Sequence, residues 1–389
     1  MRPLRVIIAP SGIEEDLEAD KVADCIEKGI REGFPGDDAL VRKIPLYDDK
    51  DFIKSFLALH NCEIYCVTIN NPFCYAVESW FWTCDDGSTA LVDLKAVAGS
   101  HKIPDNCLDL IKGTSYGVGE LLNAALDAGC TKIIISCDSF GALDGGAGML
   151  QALGARLFDI SGKDILTIGG GPELTNLSRI DMSNIHPRLR NKKEKIRIEA
   201  VCPTMDVLCG SKGVALADGP QNQASMEQIE DLTLALEIFA EIVGNLLGED
   251  VGSKPGSGVS GGLGTGLMLL GAKFRTTPDA ASKHLDLEKL FTEPWDVVFT
   301  GARSLSSLDP KAGKAIEIAR RARNHGVAVM AVAKTIGDDR PADLFYKGFT
   351  SFTGISEDCT LGEPQVEYLI EQAVGRFILV IQIGLSLHR

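Results

Sequence analysis

The residues of this 389-residue chain that could do chemistry gather in a few glycine-dense, acid-containing stretches. The densest is Asp144-Gly145-Gly146-Ala147-Gly148, which continues as Met149-Leu150-Gln151-Ala152-Leu153-Gly154. The run Lys132-Ile133-Ile134-Ile135 before it reads as a short buried strand, and Met149, Leu150 and Leu153 after it repeat at helical spacing. A strand, a glycine turn and a helix start can cradle an anion, because unpaired N–H groups of the first turn point outwards. The same residues also make a tight-packing turn, and the stretch alone does not choose between the two. A second stretch, residues 256–264, is as rich in glycine, leads into a helix at 267–270 and carries the same two readings.

More of the chain bears on the choice. Ser115-Tyr116-Gly117-Val118-Gly119-Glu120-Leu121 and Ala125-Leu126-Asp127-Ala128-Gly129 lie upstream of Asp144. Leu208-Cys209-Gly210-Ser211-Lys212-Gly213 with Gly219-Pro220-Gln221, then residues 256–264, then Thr300-Gly301 follow in order. Together these stretches resemble the bacterial-type (type I) glycerate kinase family, collinearly from Ile8 to about Ala333. The resemblance implies two α/β domains, one inserted in the other with the active cleft between them. It also implies ATP and Mg2+ as cofactors and a small organic acid, glycerate or a related hydroxy acid, as substrate. Phosphoryl transfer needs a phosphate cradle, cations to neutralise it and a carboxylate to orient or deprotonate the attacking hydroxyl. On the matching positions the carboxylates are Asp48 and Asp144. The phosphate or substrate contacts are Ser115, Gly145, Gly146, Lys212, Gln221, Gly258, Gly261, Gly262, Arg303 and Lys314. No protein-held metal site is expected.

The departures from the family pattern fall on polar positions. The family's Asp-Ser-Phe-Lys-Glu after the first strand reads Ser11-Gly12-Ile13-Glu14-Glu15, and its Asp-Gly-Gly-Glu-Gly-Thr reads Asp48-Asp49-Lys50-Asp51-Phe52-Ile53. Gly-Gly-Ser-Ala-Thr-Asn has become Asp138-Ser139-Phe140-Gly141-Ala142-Leu143. Cys-Asp-Val-x-Asn-Pro-Leu has become Cys202-Pro203-Thr204-Met205-Asp206-Val207-Leu208, and Thr-Gly-Glu-Gly-Arg-x-Asp has become Thr300-Gly301-Ala302-Arg303-Ser304-Leu305-Ser306. Three functions stay open on this ground: the kinase; an enzyme of another class on the same fold, with Asp138, Ser139, Asp206, Ser306 and Cys137 moving protons; and a non-catalytic binding protein. If position 14 faces phosphates, Glu14 turns an attraction into a repulsion of about 4 kcal/mol at about 4 Å and an effective dielectric of about 20. Magnesium-ATP is then expected to bind at about millimolar or worse, unless Lys50, Arg303 or Lys314 replaces the lost charge.

The elements that must hold these groups alternate between strand and helix. Residues 4–9, 39–44, 296–300 and 327–332 read as buried strands, with helices at 17–33, about 310–324 and from about 364. That pattern predicts a doubly wound, flavodoxin-like or Rossmann-like parallel sheet built from residues 1–58 and 286–389. Residues 59–285 have a different texture and are expected to form an inserted, glycine-rich α/β domain. Within it, 63–69, 80–83, 89–94 and 199–201 read as strands, and 226–247 as an amphipathic helix stopped by Gly248.

A net charge of −15 argues against nucleic acid or an anionic membrane as partner. Eleven cysteines without a C-x-x-C pair read as small buried hydrophobes in a reducing compartment, and residues Met1 to Ala9 read as lacking an apolar stretch of signal-peptide length. The apolar run 377–387 is too short to span a bilayer, so a cytoplasmic protein is expected. The sequence leaves monomer and homodimer both open.

Overall fold

The computed structural model describes residues 2–14, 16–47, 51–98, 110–138, 140–166, 170–191, 193–220, 224–306, 313–337, 341–355 and 364–387. The chain divides into two compact units, Met1–Leu59 with Ala281–Arg389 (unit 1) and His60–Ala280 (unit 2). The first stretch holds β1 (Leu4–Ile8), α1 (Ala19–Gly33), β2 (Ala39–Lys43) and α2 (Phe52–Leu59). The central stretch runs β3 (Cys62–Asn70), β4 (Ala76–Cys84), β5 (Thr89–Asp93), α3 (Lys95–Ala98), α4 (Tyr116–Asp127), β6 (Lys132–Ser136), α5 (Ala147–Ala152), β7 (Arg156–Asp159), β8 (Leu177–Asp181), α6 (Pro187–Arg190), β9 (Arg197–Cys202), α7 (Val214–Asp218), α8 (Met226–Leu247), α9 (Leu263–Leu269), β10 (Lys273–Thr276) and α10 (Thr277–His284). The last stretch holds β11 (Val297–Leu305), α11 (Gly313–Asn324), β12 (Ala328–Ile336), α12 (Pro341–Tyr346), β13 (Ser351–Gly354) and α13 (Pro364–Leu387).

Unit 1 is a five-stranded sheet in the order β13-β12-β11-β1-β2, with every pairing parallel. Its central strands β1, β11 and β12 are buried on both faces, as their apolar runs require, while the edge strands β2 and β13 are more open. Ile7, Val298 and Val329 face one core with Ile318 of α11; Val6, Ile8 and Phe299 face the other with Ile26 of α1 and Val374 of α13. Residues from both ends of the sequence thus share one doubly wound sheet: Val6 pairs with Val297 and Ile8 with Phe299. The apolar run read as 377–387 belongs to the 24-residue helix α13. Its segment Val366–Leu387 is long and apolar enough to cross a membrane by length and composition, which corrects the reading of a run too short. One face of α13 is instead buried with α1, and Gln382 Nε2 donates to the Gly33 carbonyl at 2.7 Å.

Unit 2 carries a six-stranded mixed sheet, β10-β9-β6-β5-β4-β3, and a separate antiparallel pair, β7-β8. The β3-β4-β5 part is antiparallel and the β5-β6-β9-β10 part parallel. Helix α8 matches its sequence expectation. Ser225 and Gln228 close a capping box at its start, and Gly248 ends it in the left-handed region. Cys25, Cys130, Cys137 and Cys202 are free and buried, as expected, but other cysteines depart from that expectation. Cys62 and Cys84 face each other across the β3-β4 ladder with Cα atoms 4.2 Å apart and form a disulfide, while Cys66 and Cys74 are exposed. Directly opposed antiparallel positions bring two Cβ atoms within bridging reach, a proximity that sequence spacing does not reveal.

Candidate active site

The Asp144 stretch does form an anion cradle, and Asp144 is itself the anion in it. Its carboxylate is 1% exposed. One oxygen, Oδ2, accepts from Ser115 N at 2.7 Å, Ser115 Oγ at 3.0 Å, Gly148 N at 3.1 Å and Thr114 Oγ1 at 3.2 Å; Oδ1 accepts from Gly146 N at 3.0 Å. Ser115 Oγ in turn accepts from Met149 N at 2.9 Å. The N–H groups that a ligand phosphate would need at the start of α5 are therefore already taken. Burial pushes the Asp144 carboxyl above its ordinary range, against the pull of donors on Ser115, Gly146 and Gly148. Asp144, Ser115, Gly145 and Gly146, read from the sequence as catalytic or ligand-binding, are buried framework here.

The second glycine stretch packs directly on the first. Gly145 N donates to the Gly261 carbonyl at 3.3 Å, and Gly266 N to the Gly145 carbonyl at 3.1 Å. A Cβ on Gly261, whose φ is +71°, would lie 1.8 Å from the Ala142 carbonyl oxygen, so only glycine fits that crossing. Gly256 N and Gly258 N both donate to the Asp206 carbonyl, at 3.0 and 2.9 Å. Gly258, Gly261 and Gly262 are buried. Of the two readings of 256–264, packing is the one its hydrogen bonds describe.

Asp93, Asp138 and Asp206 of unit 2 stand at or just beyond the carboxyl ends of its parallel strands, where α/β sheets place ligands. Asp138 follows β6 and pairs with Lys95 at 2.6 Å, and its carbonyl accepts from Ser260 Oγ at 2.8 Å. Asp93 closes β5 beside it; burial raises its carboxyl, Asp138 adds to that, and Lys95 opposes it. Asp206 is exposed beyond β9 and accepts from Thr204 Oγ1 at 2.5 Å. Burial, then the charge of Asp206, raises the half-buried Asp218. Lys212 is exposed. Cys137 is buried, its thiol pushed well above the ordinary range by Cys202 and by burial, which removes it from the proton-transfer candidates. A cavity of about 820 Å³ in this unit is lined by Asn70, Thr114, Tyr116, Gln151, Arg156 and Lys163. Asp48, Ser139 and Gln221 lie outside the described residues.

In unit 1 the sequence candidates are Arg303 and Lys314. Arg303 is exposed near the end of β11, and Lys314 Nζ donates to the Tyr47 carbonyl. Glu14 does not stand as an isolated negative charge: it pairs with Lys334 of β12 at 2.5 Å. A cavity of about 690 Å³ also exists in this unit, but Leu4, Asp296, Val297 and Ala328 line it at the amino ends of the strands.

A model of the glycerate kinase family matches residues 6–373. The chain belongs to the glycerate kinase family. Glycerate kinase of Bacillus subtilis (strain 168) is 33% identical over 370 residues, 95% of this chain and 94% of that one. Glycerate 2-kinase of Escherichia coli (strain K12) is 33% identical over 338 residues, covering 86% of each. In solved structures, a crystal structure described as glycerate kinase 2 from Salmonella typhimurium LT2 superposes with a TM-score of 0.72 at 30% identity, over 99% of this chain and 100% of that one. The glycerate kinase family resemblance read from motifs is thereby shown.

Sequence reasoning missed four polar groups in this glycerate kinase family member: Asp93, Lys95, Asp218 and Lys334. The position of Asp93 at the end of a readable strand was a usable signal. For Lys334 there was none, because its partner lies 320 residues away.

Proposed function

We propose that the chain transfers the terminal phosphoryl group of ATP to glycerate or a closely related small hydroxy acid. One observation carries the reading. In a chain collinear with glycerate kinases, Asp138 and Asp206 stand beyond the carboxyl ends of the parallel strands β6 and β9 of unit 2, and Arg303 stands near the carboxyl end of β11 in unit 1. In this proposal Asp138, held by Lys95, takes the proton of the attacking hydroxyl. The oxygen–phosphorus bond then forms as the bridging oxygen leaves with its electron pair on ADP. Among the described residues no group of three or more His, Cys, Asp or Glu is placed to hold a metal. Magnesium carried in by a nucleotide needs only one or two carboxylates beside phosphate oxygens, and the exposed Asp206 fits that need. Bound there, the ion would neutralise phosphate charge. The same reading makes the protein a soluble cytoplasmic enzyme, with α13 docked on α1.

The test is ADP release by the purified protein with magnesium, ATP and a panel of small hydroxy acids. Glycerate-dependent release is expected, and Asp138→Asn should lower kcat by about 10²–10⁴ with KM little changed. Turnover by no member of the panel would sink the proposal.

A further inference from the structure

Helix α13 is covered along one face, and its last turn outruns the helix that covers it. Ile370, Ala373, Val374 and Ile378 are buried with α1. Gly29 of α1 lies against Val374, and Gly33, where α1 ends, lies against Ile378 and Gln382. The turn 383–387 therefore continues past the end of α1. On the opposite face Leu379, Val380, Ile383 and Leu387 are between 60% and 78% exposed. Their spacing of three and four residues sets them in one apolar stripe. Beside the stripe, Ile381 and Leu385 line the 690 Å³ cavity of unit 1 together with Leu4, Phe34 and Val297. A stripe continuous with an apolar groove is more than the scattered single residues of an ordinary solvated surface.

The charges around this patch are arranged end to end. Arg376 stands exposed at the amino end of the stripe. Asp37 and Asp38 stand exposed on the rim of the cavity at the other end, where Gly384 and Leu385 also line it. Among the described residues none of these three charges is in an ion pair. The last carbonyls of α13 add partial negative charge at that same end.

These charges choose the occupant. A helix that lies on a membrane carries lysines and arginines along its polar face. This stripe has one arginine, an acidic rim beside it and a chain of net charge −15 behind it. A second copy of the same helix fits instead. Laid antiparallel, with a twofold axis between positions 381 and 382, Val380 comes level with Ile383 of the partner subunit. Arg376 then comes level with Leu387 of the partner subunit, beside its acidic rim. The twofold repeats this at the other end, so one geometry buries both stripes and answers both arginines. A parallel arrangement would set the two arginines against each other.

We propose that α13 is a dimerisation helix. Two copies of the chain associate through Leu379, Val380, Ile383 and Leu387, and Arg376 of each faces Asp37 and Asp38 of the other. The inference does not depend on the kinase reading.

Sedimentation velocity on the full chain, over a concentration series, tests it. The unmodified chain should sediment as a dimer and dissociate on dilution. Val380→Glu and Ile383→Glu place carboxylates at the centre of the contact and should each weaken association by about tenfold or more. Arg376→Asp should weaken it severalfold. Adding Asp37→Lys and Asp38→Lys to that variant should restore most of the loss, a gain that unfolding cannot produce. Ile160→Glu, at a fully solvated position of unit 2, should leave association within about twofold. A chain that stays monomeric at every concentration overturns the inference, and so does a dimer that the α13 substitutions leave intact. Vesicles of phosphatidylcholine and phosphatidylglycerol test the rival occupant. Co-sedimentation of the monomer with them, lost in Val380→Glu, would assign the stripe to a membrane and overturn the dimer.

Discussion

Unit 1 and unit 2 each place a glycine-containing loop after a parallel strand, and they use it in opposite ways. After β6 the loop turns inward. Asp144 fills the cradle, Ser115 and Thr114 seal it, and a second glycine loop closes over it. After β1 the loop leaves the buried Ser11 hydroxyl without a hydrogen-bond partner. A glycine turn followed by a helix is therefore no guide to a phosphate site until the fate of its N–H groups is known. What separates the two cases is how many donors the chain's own anion takes: Asp144 takes those of its loop, whereas the loop after β1 leaves the Ser11 hydroxyl unpartnered.

That contrast is broken most directly at Asp144. Asp144→Ala leaves donors on Thr114, Ser115, Gly146 and Gly148 without an acceptor in a site closed to water. The expected cost is about 3–5 kcal/mol of unfolding free energy, measured by denaturant titration. A variant with unchanged stability and lost turnover would make Asp144 a catalytic group after all. A paired glycine test sharpens the same point. Gly261→Ala should cost about 2–4 kcal/mol, because its Cβ meets the Ala142 carbonyl at 1.8 Å in a left-handed backbone. Gly12→Ala, whose Cβ would come no closer than 3.3 Å to the Leu17 carbonyl, should stay within about 1 kcal/mol. Equal costs would mean that the two loops are not packed differently.

The same contrast marks where sequence reading succeeds. Apolar runs bounded by turns placed β1 and β11 in one parallel sheet, and period plus Gly248 placed α8 residue for residue. These features are local, and burial on both strand faces leaves them little freedom. The role of Asp144 was not legible, since a carboxylate that caps its own loop and one that meets a ligand look alike in one dimension. The Cys62–Cys84 pair depends on strand register, and the Glu14–Lys334 pair on a loop meeting a strand distant in sequence, neither of which side-chain type alone reveals.

A smaller effect is expected from Lys334→Gln on folding itself. Its pair with Glu14 is partly exposed, with side chains 27% and 20% accessible, so its loss should cost no more than about 1 kcal/mol. Denaturant titration without ligand checks this. A loss above about 3 kcal/mol would mean that the pair holds unit 1 together and would place it with the sealed loop of unit 2.

The smallest effect concerns the like charges at the edge of unit 2. Burial first, and then the charge of Asp206, raises the Asp218 carboxyl above its ordinary range. A carboxyl whose folded pKa is raised binds its proton more tightly in the folded chain than in the unfolded one. Its ionisation therefore removes stability as pH rises from the ordinary carboxylate range through the raised value. Asp206→Asn keeps an acceptor for Thr204 Oγ1 but removes the second charge, so part of that loss should disappear. The variant should match the unmodified chain near pH 3 and become the more stable of the two as pH rises above the ordinary carboxylate range. Because Asp206 is exposed and screened by solvent, the gain should be only a few tenths of a kcal/mol. Denaturant titrations at a series of pH values measure the gap. A gap of constant size, or one favouring the unmodified chain at neutral pH, would show that Asp206 and Asp218 do not sense each other and that burial alone sets the Asp218 carboxyl.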